Sequence, residues 1–210
     1  PEAMEQRWQI DRVMDGTVFF LEFNHREGRV TDNWNFRRAM QLAQNSDELV
    51  YKVLKEAAYL PAVSLFPVWI QGLNGAFRSE YPPVEHKMNL ELAREHLEMA
   101  RIELGIEEFP PIVFLTGDTP ISILSSEYYQ ELYKQNLGLE IRIDVQNFKQ
   151  RLAKMTSGDF DVVVAGWGPD YDDPLTFGDF FASWNLNNRG RYNSSEMDAQ
   201  VRIAQAELDP

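Results

Sequence analysis

Between Ala165 and Phe177 the chain reads AGWGPDYDDPLTF, a stretch able to hold a cation and an extended main chain side by side. From Met155 to Asn188 there are six aspartates, at 159, 161, 170, 172, 173 and 179, and no lysine or arginine. Carboxylates without cationic neighbours leave negative potential for a visiting ammonium, guanidinium or metal ion. Asp170 stands out, because Asp172, Asp173 and Pro174 read equally well as the first turn of a helix, with capping carboxylates and a proline at the first helical position. It lies too early to cap that helix. Gly166 and Gly168 flank Trp167 and leave main-chain groups open to an extended ligand, as in β-augmentation. Trp167 offers either an apolar wall or an ordinary core ring.

Other chemistries find little support. There is no cysteine, which excludes disulfides, thiolate metal sites and thiol nucleophiles. His25, His86 and His96 are far apart, without metal-ligand spacing, and read as surface histidines. DYDD lacks the central glycine and terminal glutamate of a calcium loop. Neither Ser125-Ser126 nor Thr116-Gly117-Asp118 sits in a G-x-S-x-G elbow, and no glycine loop cradles phosphate. An acid/base pair of Asp170 with Asp172 or Asp173 has no visible means of raising a pKa. The sequence therefore implies no catalytic residue, metal or cofactor.

These residues need a frame, and the periodicities supply one. Residues 17–24 (TVFFLEFN) form a β-favouring run. Phe36, Ala39, Met40 and Ala43 follow at helical spacing, and Ser46 is a candidate N-cap for a second helix carrying Leu49, Val50, Val53 and Leu54. Residues 60–83 form a long loop rich in proline, glycine and aromatics, packed by its own side chains or plainly on the surface. Asn89 caps a helix with Leu90, Ala93, Leu97 and Ala100 on one face, and Gly105 ends it. Then come strand 111–116, helix 120–136 (Ile121, Leu124, Tyr128, Leu132), strand 139–145, helix 147–157 (Phe148, Leu152, Met155) and strand 160–166. A last helix, 195–207, turns Met197, Val201 and Ala204 inward. Alternation with a continuous apolar run at Val162–Val164 predicts an α/β domain with βαβ crossovers. The aspartate-rich segment falls beyond the carboxyl end of a strand, where α/β sheets bind ligands.

The composition fits one compact α/β unit of 210 residues with 44% hydrophobic and 25% charged residues. With 33 acidic against 20 basic residues and a net charge of −13, nucleic acid is an improbable partner. No apolar run is long enough to span a membrane. The charged start at Pro1 and the stop at Leu208-Asp209-Pro210 read as those of an excised piece, with any targeting segment elsewhere.

The residues resemble a known family, the dipeptide and oligopeptide solute-binding proteins of ABC importers (extracellular solute-binding protein family 5). Five matches carry the resemblance in order: Phe20 to Val50; Leu60-Pro61-Ala62 with Pro67; Ala93, Leu97 and Ala100; Gly158 to Asp161 leading into Ala165-Gly166-Trp167, Asp170-Tyr171 and Pro174; and Asn187-Asn188, Tyr192, Asn193 and Asp198. The resemblance implies a periplasmic-binding-protein-like fold of two lobes. This chain would be the C-terminal one, a mixed sheet flanked by helices over residues 1–210, with 17–24 a connecting strand near the hinge. It implies a non-enzymatic, extracytoplasmic receptor, periplasmic or a cell-surface lipoprotein, that delivers peptides to permease subunits and is held at the membrane only by a tether outside this piece. Carried over, Asp170 meets the ligand's α-amino group, Gly166, Trp167 and Gly168 pair with its main chain, and Tyr171 adjoins them. Where some oligopeptide-binding members carry basic residues for the peptide carboxylate, this chain has Met155, Thr156 and Val164. The alternative within the family is a non-peptide solute such as a nickel chelate, haem or a sugar-derived compound.

Overall fold

The computed structural model describes residues 15–56, 58–84 and 87–207. Four strands form one mixed sheet: β1 (Val18–Phe23), β2 (Ile112–Gly117), β3 (Ile141–Gln146) and β4 (Val162–Trp167), in the order β1-β4-β2-β3. β1 runs antiparallel to β4, and β2 runs parallel to both β3 and β4. All four expected strands are therefore present within one or two residues of their expected bounds.

The helices are α1 (Trp34–Leu42), α2 (Ser46–Glu48) continued by a π-helical turn over Leu49–Leu54, α3 (Phe77–Glu80), α4 (Leu90–Leu104), α5 (Pro120–Leu137), α6 (Phe148–Ser157), α7 (Leu175–Gly178) and α8 (Ser195–Ala206). Their starts follow capping chemistry. Asn33, Asn89, Thr119, Asn147 and Ser194 each accept a hydrogen bond from a main-chain N–H three residues on, satisfying a donor that the first turn leaves orphaned. Gly105, Gly138 and Gly158 close α4, α5 and α6 with left-handed backbone.

The chain leaves β2 through α5 to β3, then returns over β2 through α6 to β4. Right-handed crossovers in opposite directions put their helices on opposite faces of the sheet. One face packs Phe114, Ile112 and Val162 against Phe36 and Met40 of α1, Ala93 and Ala100 of α4 and Tyr133 of α5. The other packs Leu115, Val163 and Ala165 against Met155 and Leu152 of α6. Val162 and Val163 each reach an opposite core, which is why this strand reads as a continuous apolar run.

Several expectations need correcting. The cap of α2 is Asn45, whose side chain accepts from the Glu48 N–H, and Ser46 is already in the helix. On α5 the buried stripe is Ser125, Ser126 and Tyr133, while Ile121 and Leu124 are exposed. Two serines can line a close helix contact because each hydroxyl donates to a carbonyl one turn back, Ser125 to Ile121 and Ser126 to Ser122. Phe148 is exposed at the start of α6, and of the three inward positions on α8 Val201 is buried, Met197 half-buried and Ala204 exposed. His25 is not a surface histidine: burial lowers its pKa to about 4 from an ordinary 6.5. His96 is half-buried with its ring edge on Trp34, and His86 lies outside the described residues.

Candidate functional site

Strand β4 delivers the aspartate-rich segment, and the sheet holds its end from one side. Val18 pairs with Trp167 and Phe19 with Gly166, so β1 occupies one edge of β4 to its last residue. On the other edge the ladder to β2 stops at Leu115 opposite Val163. Beyond that point Gly166 and Trp167 have no second strand beside them among the described residues. The Val164 carbonyl is taken by a side chain, Arg151, whose Nη1 donates to it at 2.9 Å. An open strand edge at the carboxyl end of a parallel sheet is a place where an extended chain can add.

Beneath that edge the aromatic loop forms a buttress. Leu65, Phe66, Trp69, Ile70 and Phe77 pack with Val18, Trp167 and Phe177. Part of the loop over residues 60–83 thus packs on itself and supports the site segment, while Leu60, Val63, Val68, Leu73 and Tyr81 are exposed. Gly16 lies against the Trp69 ring, where any Cβ would collide with it.

The segment itself divides by role. Trp167 is committed to structure: its Nε1 donates to the Thr176 carbonyl at 2.6 Å and its ring lies 4.9 Å from that of Phe180. Gly166 owes its lack of a side chain to Phe19, since a Cβ there would stand 2.9 Å from that ring. Gly168 faces the Thr17 hydroxyl in the same way, at 3.3 Å. Asp173 accepts from the Leu175 N–H at 2.7 Å and so starts α7, with Pro174 beside it in helical conformation. Asp170 is exposed, and its main-chain N–H donates to the Thr176 hydroxyl at 3.0 Å. Its carboxylate has no hydrogen-bond or ion-pair partner among the described residues. Tyr171, half exposed next to it, has its phenol pKa raised by burial first and then by the carboxylates of Asp179, Asp173 and Asp170. Burial, with Asp170 assisting, raises Asp179 against a hydrogen bond from Gln205.

The six aspartates of the base-free stretch are not alike. Lys154 reaches Asp159 at 2.9 Å, and Arg29 reaches Asp161 at 2.8 Å from far back in the chain. Asp161 also accepts from the Val113 N–H. Asp173 and Asp179 are hydrogen-bonded within their own segment. Among the described residues no lysine or arginine pairs with Asp170, Asp172, Asp173 or Asp179, so negative charge remains along the segment that follows β4.

Motif residues near the end of the chain are architectural. Asn188 donates to the carbonyls of Phe181, Ala182 and Tyr192 and accepts from the Tyr192 N–H. Asp198 accepts from both the N–H and the hydroxyl of Ser183. Sequence reasoning passed over Thr176, which holds both Trp167 and Asp170, and Arg151, which lies four residues before the base-free stretch begins at Met155. No group of three or more histidines and carboxylates able to hold a metal ion occurs among the described residues.

Three comparisons bear on this geometry. The family description "Bacterial extracellular solute-binding proteins, family 5 Middle" matches residues 3–188. A dipeptide-binding protein of Lactococcus lactis is 30% identical over 174 residues, which is 82% of this chain and 31% of that protein. An oligopeptide-binding protein of Bacillus subtilis is 24% identical, over 91% of this chain and 35% of its own length. This chain therefore spans about a third of the length of these relatives. Among solved structures, the substrate-binding domain of an oligopeptide ABC transporter from Bacillus anthracis superposes with a TM-score of 0.85 at 28% identity, over 92% of this chain and 38% of that one. An oligopeptide-binding protein of Listeria monocytogenes, bound to peptide, gives 0.80 at 28% identity over 95% of this chain and 42% of its own. With nearly nine tenths of its sequence matched, the chain belongs to the bacterial extracellular solute-binding proteins of family 5.

Proposed function

We propose that the protein carrying this chain is the substrate-binding component of an ABC transporter and that it binds peptides outside the cytoplasmic membrane for import. In this reading residues 1–210 form a single α/β lobe of a two-lobed binding protein, with 17–24 as a connecting strand near the hinge. Asp170 receives the α-ammonium of the ligand through charge-assisted hydrogen bonds. The open edge at Gly166, Trp167 and Gly168 pairs with the ligand's main chain, and Tyr171 flanks its first residue. Affinity then comes from the backbone and the terminal charge, so many sequences can be accepted. No bond is made or broken in this role. The partners are the peptide and the permease subunits of the transporter, with membrane retention through a tether outside this chain.

The observation that carries the reading is the exposed, unpartnered Asp170 carboxylate beside an open strand edge. The relatives named as dipeptide- and oligopeptide-binding proteins support it. Calorimetry on the full-length protein tests it. A free tripeptide should bind about 10- to 100-fold more weakly to Asp170→Asn than to the wild type, as expected for a hydrogen bond between charged groups. Equal wild-type affinity for free and N-acetylated peptide would refute the role of Asp170. Closure around a ligand takes two lobes, so the 210-residue chain alone should bind the same peptide far more weakly than the full-length protein.

A further inference from the structure

We propose that Asn74, followed by Gly75 at a tip of the aromatic loop, is a site of spontaneous deamidation, and that its isoaspartate product loosens the buttress beneath Trp167. The chemistry at Asn74 is independent of what the protein binds; only the expected loss of peptide affinity rests on the peptide reading above.

Asn74-Gly75 is the one Asn-Gly pair in the sequence. The chain reverses there: the Gly72 N–H donates to the Gly75 carbonyl at 2.6 Å, Gln71 bridges Ala76, and the Phe77 N–H donates to the Ile70 carbonyl at 2.9 Å. Both residues of the pair are exposed. Neither the Asn74 carboxamide nor the Gly75 N–H has a hydrogen-bond partner among the described residues. Apart from its chain neighbours, no atom stands within 4 Å of the place a Cβ would take on Gly75, so the approach to its nitrogen is open. Other asparagines are better held. Asn33, Asn45, Asn89 and Asn147 each spend the side-chain oxygen on a helix N-cap, and each precedes a residue that bears a Cβ.

The Gly75 nitrogen attacks Cγ of Asn74 and closes a cyclic imide. The C–N bond of the carboxamide breaks, and its nitrogen leaves as ammonia with the proton that Gly75 gives up. Water then opens the ring. Cleavage at Cγ restores the main chain with aspartate at 74, whereas cleavage at the main-chain carbonyl carbon leaves isoaspartate, whose backbone runs through Cγ. Either product sets a new carboxylate beside that of Glu80 in α3, which already folds over the turn: its Oε1 accepts the Asn74 N–H at 2.9 Å and lies where a Cβ on Gly72 would stand. Isoaspartate also adds a main-chain carbon inside the reversal that Gly72 and Gly75 close. The distortion falls on Ile70 and Phe77, which the reversal joins and which pack with Val18, Trp167 and Phe177. An exposed loop tip, where chemical change is usually tolerated, is thereby connected to the segment that carries Asp170.

The test ages the full-length wild type and Asn74→Gln at physiological temperature and mildly alkaline pH, then maps the tryptic peptide spanning residues 56–78 by mass spectrometry. The wild-type peptide should gain about 1 Da in two chromatographically separate forms, one of them a substrate for an isoaspartate-specific methyltransferase. Asn74→Gln should not, because glutamine would have to close a larger ring. The deamidated fraction, purified by its added charge, should melt about 2 °C or more below fresh protein. Freshly made Asn74→Asp has the charge without the extra main-chain carbon and should melt closer to the wild type. An Asn74 that survives in the folded protein, whether or not it converts in urea, overturns the site. A deamidated fraction that melts with fresh protein, or an Asn74→Asp that melts as low as that fraction, overturns the role of isoaspartate in the buttress. By calorimetry the deamidated fraction should bind a free tripeptide about threefold or more weakly than fresh protein. Unchanged affinity removes the connection to the binding segment. If fresh wild type binds no peptide, the peptide reading fails, while mass and melting still decide the fate of Asn74.

Discussion

The two ends of β4 each carry an aspartate, and the fold treats them in opposite ways. Asp161, just before the strand, is buried and accepts from Arg29 and from the Val113 N–H, while its own carbonyl takes the Asn24 N–H. Around it Asn24 donates to the carbonyls of Gly158 and Phe160, and Thr31 donates to the Asn24 carbonyl. These bonds fasten the start of β4 to the end of β1. Asp170, three residues past the strand, has an exposed carboxylate with no partner among the described residues. A satisfied buried carboxylate is part of the scaffold; an unsatisfied exposed one beside an open strand edge is available to a ligand.

The largest effect expected from this contrast is on stability. Asp161→Ala strands a half-buried guanidinium and a buried N–H, and should cost about 3 kcal/mol. Asp170→Ala removes a group the fold does not use and should stay within about 0.5 kcal/mol. Urea unfolding followed by circular dichroism measures both, and equal losses would erase the distinction.

A second buried carboxylate sharpens the comparison through pH. Glu22 pairs across from Val163 and is 3% exposed; its Oε1 accepts from the Gly190 N–H, and its Oε2 is buried without a partner. Burial raises its pKa from 4.5 to about 7, against the Gly190 hydrogen bond and the Arg189 and Arg26 charges. The folded state thus holds this proton longer than the unfolded state does, so the Glu22 contribution to stability falls as pH rises from about 4.5 to about 7 and is level above that. His25 has the opposite slope: its folded pKa of about 4 makes it a source of instability as pH falls below 6.5. Glu22→Gln separates the two. The variant should match the wild type near pH 4 and exceed it at pH 7.5 by something of order 1–3 kcal/mol. A difference independent of pH would mean that Glu22 is ionised in the fold.

The strands were legible because each is a short apolar run, and α1 and α4 because their buried residues recur with a helical period. The α5 face was misread because serines count as polar in a periodicity, while in the fold their hydroxyls are satisfied within the helix and cost little to bury. The aspartate count misled for a related reason. Local absence of lysine and arginine says nothing about Arg29, which reaches Asp161 across 132 positions. Asp170 could be singled out because its argument was positional: too early to cap, just beyond a buried strand. The structural commitment of the Trp167 ring depends on Thr176 and Phe180 meeting it in space, and the hold of Arg151 on the Val164 carbonyl depends on α6 meeting β4; no spacing along the chain encodes either.

The smallest contrast expected is between the glycines at the two ends. Gly158 precedes β4 with φ +80°, and a Cβ there would lie 2.6 Å from the Arg26 Nε. Arg26 cannot retreat freely, since its guanidinium donates to the Asn24 side chain and to the Arg189 carbonyl. Gly158→Ala therefore combines left-handed backbone with a clash against a fixed side chain, and should cost about 2 kcal/mol. Gly166 lies in extended strand, and the ring its Cβ would meet belongs to Phe19, which is 56% exposed and can turn outward. Gly166→Ala should cost less than about 1 kcal/mol. Peptide affinity then reads the two substitutions in reverse order. A methyl at 166 and a displaced Phe19 crowd the open edge, whereas alanine at 158 leaves that edge untouched. If Gly158→Ala weakens peptide binding more than Gly166→Ala does in protein that is still folded, the division of β4 into a structural end and a binding end is wrong.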